Sequence, residues 1–198
     1  MTGVGNTGLP KAEVPGAFDI GASAYDRLVG ANPGYHDHLR ISARRLRIPN
    51  GGRGLRLLDA GCGTGASTAA LLEAAPHAEI VAVDASAGML EQAAAKSWPD
   101  SVRFVHTPIE ALAEAGVHGP FDGILAAYLL RNLADPDAQL RRFVNYSDRE
   151  PPWPCTNTRC VTPRQRRPSG TRSAGASSSR LAGGRPAIAP FIATCGAA

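Results

Sequence analysis

Leu57-Leu-Asp-Ala-Gly-Cys-Gly-Thr-Gly65 is the most informative stretch of the sequence. It joins a short apolar strand pattern, Leu55–Asp59, to three alternating glycines and then to an Ala- and Leu-rich helix predicted from Ala66 to Ala75. A strand that passes through a tight glycine turn into a helix is typical of the ligand-binding edge of an α/β sheet. Gly61 and Gly63 would let the backbone approach a ligand where a Cβ would clash.

Strand and helix patterns alternate on either side of this stretch. Because parallel strands joined by helices form a sheet covered on both faces, the pattern predicts the α/β class for residues 17–143. Residues 1–16, rich in Gly and Pro, are predicted to be flexible. The predicted strands are Glu79–Asp84, Val102–His106 and Phe121–Ala127, and the predicted helices lie within Phe18–Arg47, Gly88–Lys96, Ile109–Ala115 (helix or turn) and Asp135–Phe143.

Two acids at strand ends narrow the choice of cofactor. The glycines are spaced G-x-G-x-G, whereas a dinucleotide-binding turn is G-x-G-x-x-G. Asp59, two positions before the first glycine, would repel a pyrophosphate but attract an ammonium group. Asp84, which ends the second strand, suits the ribose of either cofactor. Together they favour S-adenosylmethionine (SAM) over NAD, although Asp59 alone could be a strand-end residue that bonds the next turn.

With these motifs the chain resembles the class I SAM-dependent methyltransferases. Gly61–Gly65 is similar to the first motif of that family. The resemblance implies a Rossmann-like sheet with N-terminal helices, and transfer of a methyl group from SAM to a small-molecule acceptor. Three further segments resemble the second motif, the adenine segment and the fourth strand: Asp84-Ala-Ser-Ala-Gly-Met-Leu90, Phe104-Val-His-Thr-Pro-Ile-Glu-Ala-Leu112 and Phe121-Asp-Gly-Ile-Leu125.

Two other segments narrow the resemblance. Phe18-Asp-Ile-Gly-Ala-Ser-Ala-Tyr-Asp26 and Leu130-Arg-Asn-Leu-Ala-Asp135 are similar to the C-methyltransferases of ubiquinone and menaquinone biosynthesis. The resemblance covers residues 18–143 and implies a quinone or phenol ring carbon as the methyl acceptor. Arg131 and Asn132, in the second segment, could equally be an ordinary helix cap.

The resemblance also implies a set of cofactor contacts. Thr64 and the loop glycines would line the methionine part, Asp84 would hold the ribose, and Tyr25 would close over the methionine end. Pro108 stands where the family has a small polar or acidic residue, which puts a side-chain contact to the adenine amine in question. The expected cofactor-binding residues are Tyr25, Asp59, Gly61, Cys62, Gly63, Thr64, Gly65, Asp84, Ala85, Met89, Pro108, Ile109 and Ala127.

No catalytic residue is identified by pattern. Methyl transfer from a sulfonium depends mainly on positioning, and it requires no metal. Methylation of a ring carbon also needs a base to ionise a phenol, and His36, His38 and His106 are candidates by residue type only. Cys62 and Met89 fit core packing as well as a cofactor wall.

Composition bounds the remaining possibilities. Four scattered cysteines without a Cys-x-x-Cys pair argue against a zinc site and fit a reducing compartment. The sequence shows no signal-peptide pattern and no apolar run long enough to span a bilayer, so a cytoplasmic location is expected. Residues 1–143 carry 13 Lys+Arg and 15 Asp+Glu, so the basic charge belongs to residues 144–198, which contain eight Arg.

The segment from Val144 onward has a different character. Pro, Arg, Ser and Gly dominate it, which predicts a disordered tail, and strands five to seven of the family are not recognisable. Codons that could encode residues 145–150, read one nucleotide out of register, permit E-L-L-R-P-G, and residues 153–161 permit L-A-V-H-E-Y-S-V-R. Both resemble the missing family sequence. Our hypothesis is that the tail is out-of-frame translation, which DNA sequencing at codons 142–144 tests.

Two functions therefore stay open, an active methyltransferase and a non-catalytic fragment with at most weak SAM binding. A nucleic-acid arm is disfavoured because the tail has no lysine and no interleaved aromatic residues. The expected partner is a small-molecule acceptor. A lipophilic acceptor would also bring the protein to a membrane surface, and the sequence does not predict an oligomeric state.

Overall fold

A parallel sheet forms the centre of the protein. The computed structural model describes residues 9–146 and the backbone of residues 191–195. The strands are β1 (Arg56–Ala60), β2 (Glu79–Asp84), β3 (Val102–His106), β4 (Gly123–Ala127) and β5 (Phe191–Cys195), in the spatial order β3-β2-β1-β4-β5. The strand order reverses between β1 and β4, and ligands of such sheets bind outside the carboxyl ends of the strands at this point.

Five helices flank the sheet: α1 (Val14–Gly30), α2 (Tyr35–Arg45), α3 (Ala66–Ala74), α4 (Ala87–Ala94) and α5 (Pro136–Asn145). The Ser86 hydroxyl caps α4 by accepting the Met89 N–H at 3.1 Å, and the Asp135 carboxylate caps α5 by accepting the Ala138 N–H at 2.8 Å. Such caps satisfy amide groups that have no partner within the first turn of a helix. The predicted helices and the α/β class are thus confirmed.

The core has two layers, one on each face of the sheet. Because successive strand side chains point to opposite faces, Leu57 and Leu58 belong to different layers. Leu57 packs with Leu39 of α2 and Leu71 of α3, while Leu58 packs with Phe143 of α5. All five side chains are at most 1% exposed, so both layers of the core are shielded from solvent at the centre of the sheet.

Part of the N-terminal segment that is predicted to be flexible is helical in the structure. A 3-10 turn spans Lys11–Glu13, and α1 begins at Val14, within residues 1–16. Pro15 fits there because the first helical turn needs no amide donor. For Ile109–Ala115, where the sequence predicts a helix or a turn, the structure has a 3-10 turn at Ile109–Ala111.

Strands five to seven are not recognisable in the sequence, but in the structure a further strand, β5, lies beside β4. Phe191–Cys195 pairs with β4 in parallel, with Gly123 opposite Phe191 and Ala127 opposite Cys195. An unpaired β4 would leave a row of backbone amides and carbonyls without partners, and β5 supplies them. The rest of the predicted tail, residues 147–190 and 196–198, lies outside the described residues. Among the described helices, none is long and apolar enough to cross a membrane.

Candidate functional site

The loop after β1 depends on three glycines with positive φ, for different reasons. Gly61 (φ 74°) and Gly65 (φ 89°) are also closely packed: a Cβ at Gly61 would lie 2.9 Å from Leu129 Cδ1, and one at Gly65 would lie 2.8 Å from Trp98 Cζ2. A Cβ at Gly63 (φ 54°) would meet no protein atom within 4 Å. Gly61 and Gly65 are therefore small for packing, whereas Gly63 borders open space.

Asp84 joins this loop to the end of β2. Its Oδ2 accepts the Gly63 N–H at 2.7 Å, and its Oδ1 accepts the Ser86 N–H at 2.9 Å. Burial raises the pKa of Asp84, although the hydrogen bonds from Ser86 and Gly63 oppose this shift. The carboxylate is thus held in one orientation at the edge of the loop, and it retains acceptor capacity for a further donor.

Asp59 lies behind the loop and is fully buried. Its Oδ2 accepts hydrogen bonds from Ser67 Oγ at 2.8 Å and from Thr68 Oγ1 at 2.7 Å, both in the first turn of α3. Its Oδ1 has no partner among the described residues. Burial raises the pKa of Asp59 to about 7, against the two hydroxyl hydrogen bonds.

A cavity of about 490 Å³ opens at the carboxyl ends of β1, β2 and β4. Its lining combines the glycine loop, the loops after β2, β3 and β4, and the inner face of α1. Asp59 and Gly65 are not in the lining: Asp59 lies beneath the loop, and Gly65 is covered by Trp98. The expected residues that do line it are Tyr25, Gly61, Cys62, Gly63, Thr64, Asp84, Ala85, Met89, Pro108, Ile109 and Ala127.

The cavity wall includes residues that sequence reasoning missed. Tyr35, at the start of α2, stacks on Tyr128 with ring centroids 5.4 Å apart and an interplanar angle of 14°. Burial raises the pKa of Tyr35 far above its usual value, so this hydroxyl stays neutral. Lys11 and Phe18, from the segment around the start of α1, also line the cavity. The available signal was a cluster of aromatic residues in the N-terminal third, but periodicity alone does not show which face of a helix meets the cavity.

The three candidate histidines lie outside the lining of this cavity. His106 Nε2 is 3.0 Å from the Ala85 carbonyl oxygen, and His38 Nδ1 is 3.4 Å from the Tyr128 hydroxyl. His36 packs edge-on against Tyr35 at 5.3 Å. No general base is identified among them, and across residues 9–146 no cluster of His, Cys, Asp or Glu has the arrangement of a metal site.

Arg131 and Asn132 do line the cavity. They lie in the 3-10 turn Leu130–Asn132, and neither side chain caps it. The Arg131 guanidinium lies over the Tyr128 ring at 5.1 Å, and Asn132 Nδ2 donates to the Tyr128 carbonyl at 3.4 Å. These contacts support the left-handed conformation of Tyr128 (φ 57°) and disfavour the helix-cap interpretation.

The residues present fit SAM on three observations. The space beside Gly63 would admit a ligand close to the backbone. The Asp84 carboxylate can accept from ribose hydroxyls while it keeps its backbone partners. A positive charge nearby would stabilise the ionised form of the buried Asp59 carboxyl, whose Oδ1 has no partner among the described residues.

Comparison with known proteins agrees with this geometry. Residues 57–146 match the family model described as a methyltransferase domain. The chain is 37% identical over 126 residues to demethylmenaquinone methyltransferase of Clavibacter sepedonicus, which covers 63% of this chain and 49% of that protein. It is 39% identical over 100 residues to the ubiquinone biosynthesis O-methyltransferase of Dinoroseobacter shibae, which covers 49% and 38%. The chain thus spans about half the length, or less, of these curated relatives.

A solved structure has the same fold. Magnesium protoporphyrin IX methyltransferase of Synechocystis PCC 6803, with bound SAM, superposes with a TM-score of 0.59 at 19% identity, over 70% of this chain and 72% of that one. At this identity the likeness concerns the fold alone. Together with the sequence relatives it confirms the predicted resemblance. Residues 57–146 thus match a methyltransferase domain, and the chain is similar in sequence to methyltransferases of quinone biosynthesis.

Proposed function

We propose that the protein binds SAM in the 490 Å³ cavity and transfers its methyl group to a small-molecule acceptor. The observation that carries this proposal is the hydrogen bond between the loop after β1 and the end of β2, in which Asp84 accepts the Gly63 N–H at 2.7 Å. This contact holds an oriented acid next to a backbone segment that a ligand can approach closely. A G-x-G-x-G turn combined with an acid at the end of β2 suits an adenosine that carries an amino acid.

Each part of the cavity has a role under this proposal. Asp84 would hold the ribose, Pro108 and Ile109 would pack on the adenine, and Thr64 with the loop glycines would line the methionine part. SAM would supply an activated methyl group. The work of the protein is then orientation, because holding two reactants in line can account for much of the lowering of the barrier. Tyr25, Tyr35 and Tyr128 would supply the aromatic wall.

The acceptor is proposed to be a quinone or phenol. Two features support this choice: the stacked Tyr35–Tyr128 pair, which offers a flat apolar surface to an aromatic ring, and the similarity to relatives named for menaquinone and ubiquinone biosynthesis. The protein would then work in the cytoplasm and approach a membrane surface to meet a lipophilic acceptor.

A second candidate function is a non-catalytic fragment that retains weak SAM binding. The observation in its favour is coverage, since the chain spans 49% of its demethylmenaquinone methyltransferase relative. In such a fragment the cofactor loops would be present but the acceptor side would be incomplete.

Two measurements on the full chain separate these functions. Isothermal titration calorimetry with SAM tests binding, and transfer of a radiolabelled methyl group to a panel of quinols and phenols tests turnover. Binding with turnover supports the methyltransferase, and binding without turnover on any acceptor supports the fragment. If SAM does not bind, the methyltransferase is wrong and the fragment, which requires at most weak binding, is favoured.

A further inference from the structure

Helix α1 covers the cofactor cavity with little apolar packing of its own. Only Val14 and Ala22 of its 17 residues are buried, while Ile20 and Leu28 are 88% and 70% exposed. Its inner face presents Phe18 and Tyr25 to the cavity, and their rings meet edge to face at 5.9 Å. A helix with so small a buried surface needs other contacts to keep its position.

The first such contact is made by Asp19. Its Oδ1 accepts the Ser86 hydroxyl at 2.6 Å and the Gly88 N–H at 2.9 Å, at the N-terminus of α4. A Cβ at Gly88 would lie 3.2 Å from the Asp19 backbone, so a glycine at this position lets α1 approach. Ser86 also donates its N–H to Asp84 at 2.9 Å. Ser86 therefore links Asp19 to Asp84, the acid proposed to bind the ribose.

The second contact is made by Asp26, about two turns further along α1. Its carboxylate accepts the hydroxyl of Thr64 in the glycine loop and pairs with Lys96 Nζ at 2.6 Å. Lys96 also donates to the Thr64 carbonyl at 2.8 Å. Asp26, Thr64 and Lys96 thus form a closed triangle that joins α1, the glycine loop and the segment after α4.

From these contacts we propose that Asp19 and Asp26 form a two-point latch that holds α1 over the cavity and controls the exchange of SAM. Each carboxylate binds a different cofactor loop, and between them Tyr25 lines the cavity and Ala22 is buried. Both latch points break when α1 lifts, and the cavity then opens from above. Asp19 and Asp26 are positioning residues, since they act through Ser86 and Thr64.

The inference rests on the proposed function, because the exchanged ligand is taken to be SAM. Only a few polar contacts hold the helix, and these are partly exposed, so the latch is expected to open readily. Removing one latch point is expected to speed release about threefold, and removing both about tenfold, as for the loss of independent exposed charge-assisted hydrogen bonds.

The test uses the full chain with Asp19→Ala, Asp26→Ala and the double variant. The control is Asp37→Asn, which removes an exposed carboxylate from α2 whose one partner among the described residues is Arg40, at 3.1 Å. Release of radiolabelled SAM into excess unlabelled SAM gives the dissociation rate constant. Hydrogen–deuterium exchange of the peptide over residues 14–30, without SAM, reports the opening of α1 directly.

The expected result is faster exchange in α1 and faster SAM release in the latch variants, with unchanged exchange in β1 and β2 and no effect of Asp37→Asn. Equal release rates in the wild type and the double variant would overturn the latch, and so would an equal increase of exchange in β1 and β2. If the double variant does not fold, Asp19→Ala alone replaces it, with the expected threefold effect. A wild type that binds no SAM refutes the proposed function instead, and exchange in α1 still decides whether the latch exists.

Discussion

The three loop glycines should respond differently to alanine, and the contrast between Gly63 and Gly65 is the sharpest test of the site. Both residues have positive φ, which costs an alanine about 1–2 kcal/mol. At Gly65 the new methyl would also lie 2.8 Å from Cζ2 of Trp98. That indole is fixed, because its Nε1 donates to the Ala93 carbonyl at 2.8 Å and its ring meets Phe104 edge-on at 5.3 Å.

The magnitudes follow from these contacts. Overpacking of this kind costs a further ~1–3 kcal/mol, so Gly65→Ala should lose about 2–5 kcal/mol of the free energy of unfolding. Gly63→Ala should lose only about 1–2 kcal/mol, because its methyl meets no protein atom within 4 Å. Since Gly63 lines the cavity, that methyl would occupy space that SAM needs, and the affinity should fall about tenfold or more.

Urea unfolding measures the first quantity, and calorimetry with SAM on the folded variants measures the second. The wild type and Asp37→Asn, whose carboxylate is remote from the cavity, serve as references. The reasoning fails if Gly63→Ala binds SAM as tightly as the wild type, because the loop would then not contact the cofactor. It also fails if Gly63→Ala is destabilised as much as Gly65→Ala.

Three further predictions concern the acids and the sheet edge. The pKa of Asp59 is about 7 in the folded protein and 3.8 in the unfolded chain. The free energy of unfolding should therefore be highest below pH 3.8 and should fall by at most about 4 kcal/mol as the pH rises to 7. Asp59→Asn should remove this decline in urea unfolding between pH 4 and 8; an unchanged pH dependence would contradict the burial argument. Asp84→Ala removes the acceptor of the Gly63 and Ser86 N–H groups and should weaken SAM binding at least about tenfold in calorimetry. Deletion of residues 188–198 removes β5, exposes the β4 edge and should increase aggregation measured by light scattering; an equally soluble, equally stable protein would show that β5 is dispensable.

Local patterns predicted most of the sheet. The limits of β2 and β3 agree with the predicted strands, because each is a short apolar or β-branched run between turn residues. The observed β1 is shifted by one residue, and β4 begins two residues later than predicted. Such shifts at the ends reflect hydrogen bonds to neighbouring strands, which a single segment does not encode.

Features that depend on distant parts of the chain were not predictable in this way. β5 follows a long Pro-, Arg- and Ser-rich segment, and only its pairing with β4 identifies it as a strand. The start of α1 was missed for a similar reason, since Lys11, Val14 and Pro15 line the cavity within a Gly- and Pro-rich context. Tyr35 likewise became part of the site only when α2 packed against the loop after β4.

Asp59 and Asp84 look alike in the sequence, as acids near the ends of neighbouring strands, and the register explains why they differ. Asp59 stands opposite Ala82, so Asp84 lies two residues further towards the carboxyl edge, about 6–7 Å beyond it. Because of this offset, Asp84 lies at the cavity, where backbone amides orient it. Asp59 lies beneath the loop and accepts hydrogen bonds from Ser67 and Thr68. Asp84 can therefore contact a ligand directly, whereas Asp59 can interact with one only electrostatically. Because burial raises the pKa of Asp59 to about 7, that charge is present only in part near neutral pH, and a cation bound in the cavity would favour it.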